Sequence, residues 1–125
     1  MSVPVGARGE NLTTVFTLSA DLLALCIHAA MNTRHFPAKF TRELGEPFVA
    51  AARRAMHAIY AANRETRPEA RGAHVSEALK ALDILQAELH LNFLHFSLKA
   101  PKAGEISDRI TELRSKFIAW SKAVR

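Results

Sequence analysis

The sequence predicts an all-α protein, an antiparallel up-down-up-down four-helix bundle. Three observations carry that expectation. Apolar residues recur at three- and four-residue intervals nearly throughout the chain from residue 13. Proline and glycine interrupt the rhythm near Pro37, Pro68 and Pro101. No run alternates over a strand's length between turn signals, so sheet is not expected. A length of 125 residues suits one domain, divided into a loose leader over 1–12 and the bundle over 13–125.

Pro4, Gly6 and Gly9 make the leader a poor helix former. The first helix is expected over 13–32. It ends before Pro37, because the residue preceding a proline is biased out of the helical region. The second is expected over 38–65. Pro47 falls inside it, and two readings remain: one long helix opening with a loose or kinked turn, which the rhythm of Phe40, Leu44 and Phe48 favours, or a helix starting at Glu46 with Pro47 in its first position. Thr66-Arg67-Pro68 through Gly72 separates it from a third helix over 74–99, and Pro101 and Gly104 precede a fourth over 104–123.

The second and fourth helices read as amphipathic. Phe40, Leu44, Phe48, Ala51, Ala55, Ile59 and Ala62 share one arc, with Arg42, Glu46, Arg53, His57 and Arg64 opposite. Ile106, Ile110, Leu113, Phe117, Trp120 and Val124 form a narrow stripe on the fourth. The third carries two apolar faces. Ala78, Leu79, Leu82, Leu85, Leu89, Phe93 and Phe96 make one; Ile84, Ala87, Leu91, Leu94 and Leu98 make the other. Every helix of a four-helix bundle has an outer side, so the second face predicts self-association, with Ile84, Leu91, Leu94 and Leu98 as the interface. The alternative is that the leader or the first helix covers it. The expected core contains Leu22, Cys26, Leu44, Phe48, Ile59, Leu82, Leu89, Phe93, Ile110, Leu113 and Phe117.

Composition excludes several classes. One cysteine permits neither an intrachain disulfide nor a multi-cysteine zinc site. The apolar run Val15–Met31 contains Asp21, whose charge near the centre of a membrane span would cost about 3 kcal/mol, so a cytoplasmic protein with no membrane partner is expected. Arg8 is offset by Glu10, which argues against a signal peptide. No pair among the six histidines shows the i, i+3 or i, i+4 spacing with a carboxylate that helical metal sites use, and Leu89–His95 lacks the glutamate of a zinc-protease helix. Cys26 lies among Leu22, Leu23, Leu25 and Ile27, where low polarity suppresses the thiolate. No glycine pattern suggests a phosphate or dinucleotide loop. No cofactor, metal or enzymatic activity is expected.

Charge is more informative. Seventeen Lys and Arg against twelve Asp and Glu leave +5. Residues 34–72 carry eight basic and four acidic side chains, and 109–125 carry five and one. Arg64, Arg67 and Arg71 crowd one connection, and guanidinium groups suit bidentate phosphate contact. With no groove-reading motif or aromatic stacking surface evident, nucleic-acid binding would be directed at the backbone.

The order of features from Phe36 onward is distinctive. Phe36-Pro37 and Leu44-Gly45 open the long helix, Ile59-Tyr60-Ala61-Ala62-Asn63-Arg64 closes it, Glu77-Ala78-Leu79-Lys80-Ala81-Leu82-Asp83-Ile84-Leu85 follows, and Trp120 stands near the C-terminus. Over residues 14–123 this resembles the small four-helix-bundle family that includes the accessory variability determinant of diversity-generating retroelements. A related branch comprises proteins encoded in intervening sequences of bacterial large-subunit ribosomal RNA genes. Glu46-Pro47 and Ile118-Ala119 depart from the family's pattern.

The resemblance implies an antiparallel bundle assembled into a barrel-shaped homopentamer with a basic surface. It also implies a non-enzymatic partner of a reverse transcriptase that binds its template RNA and supports mutagenic copying. The matching positions are Arg53, Arg54, Arg64, Arg67, Arg109 and Lys116. A second expectation, from a different class, is an oligomeric structural or protein-interaction module without a nucleic-acid partner, as in the ribosomal branch.

Overall fold

Four α-helices and one π-helical turn make up the computed structural model over its described residues, 7–31, 41–95 and 98–124. The helices are α1 (Ala7–Met31), α2 (Glu46–Arg64), α3 (Pro68–His95) and α4 (Ala100–Ala123), and no strand occurs among the described residues. The protein is all-α. Phe36-Pro37, Phe40 and Phe96, each assigned a role from the sequence, lie outside the described residues, as do residues 1–6 of the expected leader.

Prolines set the starts. Pro47 and Pro101 fall in the first turns of α2 and α4, and Pro68 is the first residue of α3. Pro68 and Pro101 each supply a fixed φ where a free N–H would have no partner. The third and fourth helices therefore begin earlier than expected, at Pro68 rather than 74 and Ala100 rather than 104. Gly72 and Gly104 lie inside them, and α1 extends back to Ala7, into the segment expected to be loose.

At Pro47 the two sequence readings merge. The α-helix starts at Glu46, but the chain enters it through the π turn Thr41–Gly45 without leaving helical geometry, since Gly45 has φ −68° and ψ −47°. A proline cannot donate to the carbonyl four residues back, and its ring crowds that carbonyl, here on Glu43. Widening the preceding turn relieves both problems.

Each helix packs on two others: α2 and α4 both contact α1 and α3. The face that α2 buries is made largely of small residues, Ala51, Ala52, Ala55, Ala58 and Ala62, around Phe48 and Ile59. Small side chains let helix axes approach closely. From α1 come Val15, Ser19, Leu22, Leu23, Cys26 and Ala29. Ser19, buried in an apolar setting, satisfies its hydroxyl by donating to the Phe16 carbonyl at 2.7 Å. From α4 come Ile106, Ile110, Leu113, Phe117 and Trp120, the last two rings stacked at 5.6 Å.

Two expectations about α3 are corrected. Phe93, expected in the core, is 41% exposed, and the fully buried residue at that level is Asn92. The buried positions Ala78, Ala81, Leu82, Leu85, Leu89 and Asn92 occupy an arc that ends at Leu82 on one side, and Phe93 falls just beyond that edge. Asn92 donates its amide to the Glu88 carbonyl at 2.8 Å. Leu98, expected on the outer stripe, is buried at 2% exposure. The helix stops at His95, so Leu98 no longer follows its register. Leu98 N–H reaches the Asn92 carbonyl at 3.4 Å, and the side chain joins the core.

Truncating Phe48 to Ala is expected to cost about 3–5 kcal/mol in urea unfolding, whereas Phe93→Ala should cost under about 1 kcal/mol. A large loss at Phe93 would contradict this packing. A Cβ added at Gly72 or Gly104 meets nothing within 4 Å. Each Gly→Ala substitution should therefore stabilise the protein by about 0.5–1 kcal/mol, read as a raised melting temperature.

Candidate nucleic-acid interface

Most of the basic residues singled out in the sequence are exposed, but they do not form one patch. Arg53, Arg54, Arg64 and Arg67 lie on α2 and the connection after it, and Arg109 and Lys116 on α4. Because α2 and α4 each pack on α1 and α3 rather than on one another, a single chain presents two separate basic areas.

Their electrostatic surroundings differ. Among the described residues, Arg53 and Arg54 are exposed and carry no ion pair. Arg67 pairs with Glu65, Nε to Oε1 at 2.9 Å. Lys116 stands 3.9 Å from Glu112, the outer limit of an ion pair. On α4, Arg114 meets Asp83 of α3 at 3.4 Å.

Arg71 departs most sharply from expectation. Its Nε and Nη2 donate to the Glu65 carbonyl at 3.0 and 2.8 Å, and Nη1 donates to the Val124 carbonyl at 2.6 Å. The guanidinium thus joins the C-terminal ends of α2 and α4, where unpaired carbonyls and the helix dipoles favour a cation. A group so engaged is a clamp within the fold, not a free phosphate ligand. The sequence could not reveal this, since Val124 is 53 positions away.

Glu65 completes the turn. Its carboxylate accepts both the backbone N–H (3.1 Å) and Nε (2.9 Å) of Arg67. These donors hold the carboxyl below its ordinary range, first through the side-chain hydrogen bond, and the same pairing raises Arg67.

One arrangement is not evident from the sequence. Arg53, His57, Tyr60 and Arg64 share the outward face of α2, and Phe16 of α1 leans on Tyr60 with ring centroids 5.9 Å apart at 57°. Arg64 donates to the Tyr60 hydroxyl at 3.4 Å, its guanidinium carbon 5.8 Å from the ring centroid. The spacing of Tyr60 and Arg64 is a readable signal; the partner on α1 is not.

The expected association stripe remains outward in part. Ile84, Leu91 and Leu94 are 38%, 40% and 58% exposed, and none of the described helices covers them. Cys26 is fully buried, and burial pushes its thiol up to about 12, so it is not a nucleophile at neutral pH. Among the described residues no group of three or more His, Cys, Asp or Glu could hold a metal ion. The stretch Thr14–Met31 is long and apolar enough to cross a membrane, yet Leu22, Leu23, Cys26 and Ala29 within it are buried in the bundle.

Comparison with family models, curated proteins and solved structures finds no match to the chain.

Arg71→Ala is expected to lower stability by about 1.5–3 kcal/mol, the range for hydrogen bonds to a charged group, with Arg67→Ala far milder. Equal losses would argue against the clamp. Because the Glu65 carboxyl is depressed in the folded state, its contribution is complete above the ordinary carboxylate range. It is lost as pH falls through the folded value. Acid unfolding of Glu65→Gln should show a slightly shallower decline than the parent, small because the pair is exposed.

Proposed function

We propose that this protein is a non-enzymatic, RNA-binding accessory subunit that acts with a reverse transcriptase, of the kind the retroelement resemblance implies. The observation that supports it is the pair Arg53 and Arg54, exposed and without an ion pair among the described residues, on a helix whose other side is committed to the core. Phosphate binding requires cations that are free of internal partners, and Arg53 and Arg54 meet that requirement. The protein is cytoplasmic on this reading, and contacts run to the RNA backbone with little sequence specificity.

The bundle runs up-down-up-down. Along α3 and α4, Arg71 meets Val124, Asp83 meets Arg114, and Gln86 meets Ser107, so rising numbers on one helix meet falling numbers on the other. Such pairing supports antiparallel neighbours, as does the three-residue connection between α2 and α3, helices that pack extensively.

Assembly links the separate basic areas. A ring repeats both patches in every subunit, and a pentamer at +5 per chain would carry about 25 net charges. Weak phosphate contacts along one RNA then combine into avidity. Ile84, Leu91 and Leu94 form the subunit interface in this scheme. Their exposure equally supports the second reading, a structural oligomer with no nucleic-acid partner.

Replacing Leu91 and Leu94 with Glu should give a folded but smaller species by light scattering, with RNA affinity reduced alongside. Retained size or full affinity would break the link between assembly and binding. Replacing Arg53 and Arg54 with Ala should leave size unchanged and reduce the log–log salt slope by about 0.7–0.9 for each phosphate left unneutralised. Failure of the parent to retard any RNA at low salt would favour the structural reading.

A further inference from the structure

We infer that Tyr60, buttressed by Phe16 and flanked by Arg53 and Arg64, is a stacking platform for an unpaired base of single-stranded RNA. This rests on the RNA-binding reading above and deepens it, since phosphate contacts alone do not distinguish single strands from duplexes.

Tyr60 is 51% exposed and Phe16 36%, on adjoining helices at the seam of α1 and α2. Exposed aromatic rings in contact form an apolar surface, and every nucleobase offers a matching π-face. The cations occupy complementary positions. Arg64 sits at the hydroxyl end of Tyr60, one helical turn further on, held there by the 3.4 Å hydrogen bond. Arg53 lies two turns before Tyr60 on the same face, with His57 between. Two turns of helix span about 11 Å, a reach suited to phosphates flanking a seated base. No acidic side chain interrupts the α2 face from Arg53 to Arg64. That charge complementarity selects a polyanion over an apolar peptide. Stacking on Tyr60 requires a base whose face is open, so duplex RNA, with its bases stacked inside, would gain only the phosphate contacts.

The test uses the full chain with two probes of equal length. One is a short single-stranded RNA carrying a fluorescent adenine analogue whose emission falls on stacking; the other is a duplex RNA. The parent should bind both and quench the analogue. Tyr60→Leu keeps an apolar side chain but removes the ring. It should weaken single-strand binding about 5- to 100-fold and abolish quenching, while leaving duplex affinity unchanged. Tyr60→Trp should restore both affinity and quenching. Circular dichroism and light scattering on each variant exclude misfolding and altered assembly. If Tyr60→Leu binds the single strand as the parent does, the platform is wrong while the phosphate reading survives. A shift in oligomeric state with Tyr60→Leu would overturn it too, because the ring would then belong to a subunit interface. A parent that binds neither probe would overturn the RNA-binding reading itself.

Discussion

The rest of the fold depends on the burial of one alanine-rich face. α2 places Ala51, Ala52, Ala55, Ala58 and Ala62 against α1 and α3, with Phe48 and Ile59 as its only large buried apolar side chains. Helices meeting across such small residues approach until backbones and neighbouring side chains touch. The larger residues come from the partners, Leu22 and Leu23 on one side and Leu82, Leu85 and Leu89 on the other. Because the inward side of α2 is spent on packing, its cations are driven to the outward side. The functional face follows from the core.

The same logic explains how the polar groups are divided. Arg71, where the C-terminal ends of α2 and α4 meet, donates to the carbonyls of Glu65 and Val124. The mid-helix arginines, Arg53 and Arg54, pair with no acid among the described residues and stay open to solvent. Whether a guanidinium serves the fold or remains available to a ligand depends here on whether unpaired helix-end carbonyls lie within its reach. A basic sequence segment therefore overstates the cations a partner can reach.

The pattern of residues makes most of the architecture legible. The amphipathic stripes of α2 and α4 match the buried positions closely because a helix with one polar face fixes its own rotation. α3 is harder. Apolar on two sides, it does not declare its rotation, and a small turn exchanges Phe93 for Asn92 at the core boundary. Leu98 departs from its expected place because that place assumes a helix continuing past His95, where α3 in fact ends. At the candidate site, charge marks Arg64, Arg67 and Arg71, whereas Arg53 and Arg54 enter as positions the resemblance implies. The Arg71 clamp and the Phe16–Tyr60 contact are not legible, since both join residues far apart in the chain, and one sequence records no such adjacency.

Pro47 shapes the turn that leads into α2. Residues in an α-helix advance by a fixed angle, but a π turn spreads more residues over each revolution. Within Thr41–Gly45 the residues are thereby rotated about the helix axis from where a continuous α-helix would place them. Leu44 still reaches the core, while Arg42 and Glu43 emerge to solvent. A residue at position 47 with an amide N–H and no proline ring would let the turn tighten and change which of residues 42–45 face the core. The donor that the proline lacks and the bulk of its ring thus set the rotation at which this turn meets α2.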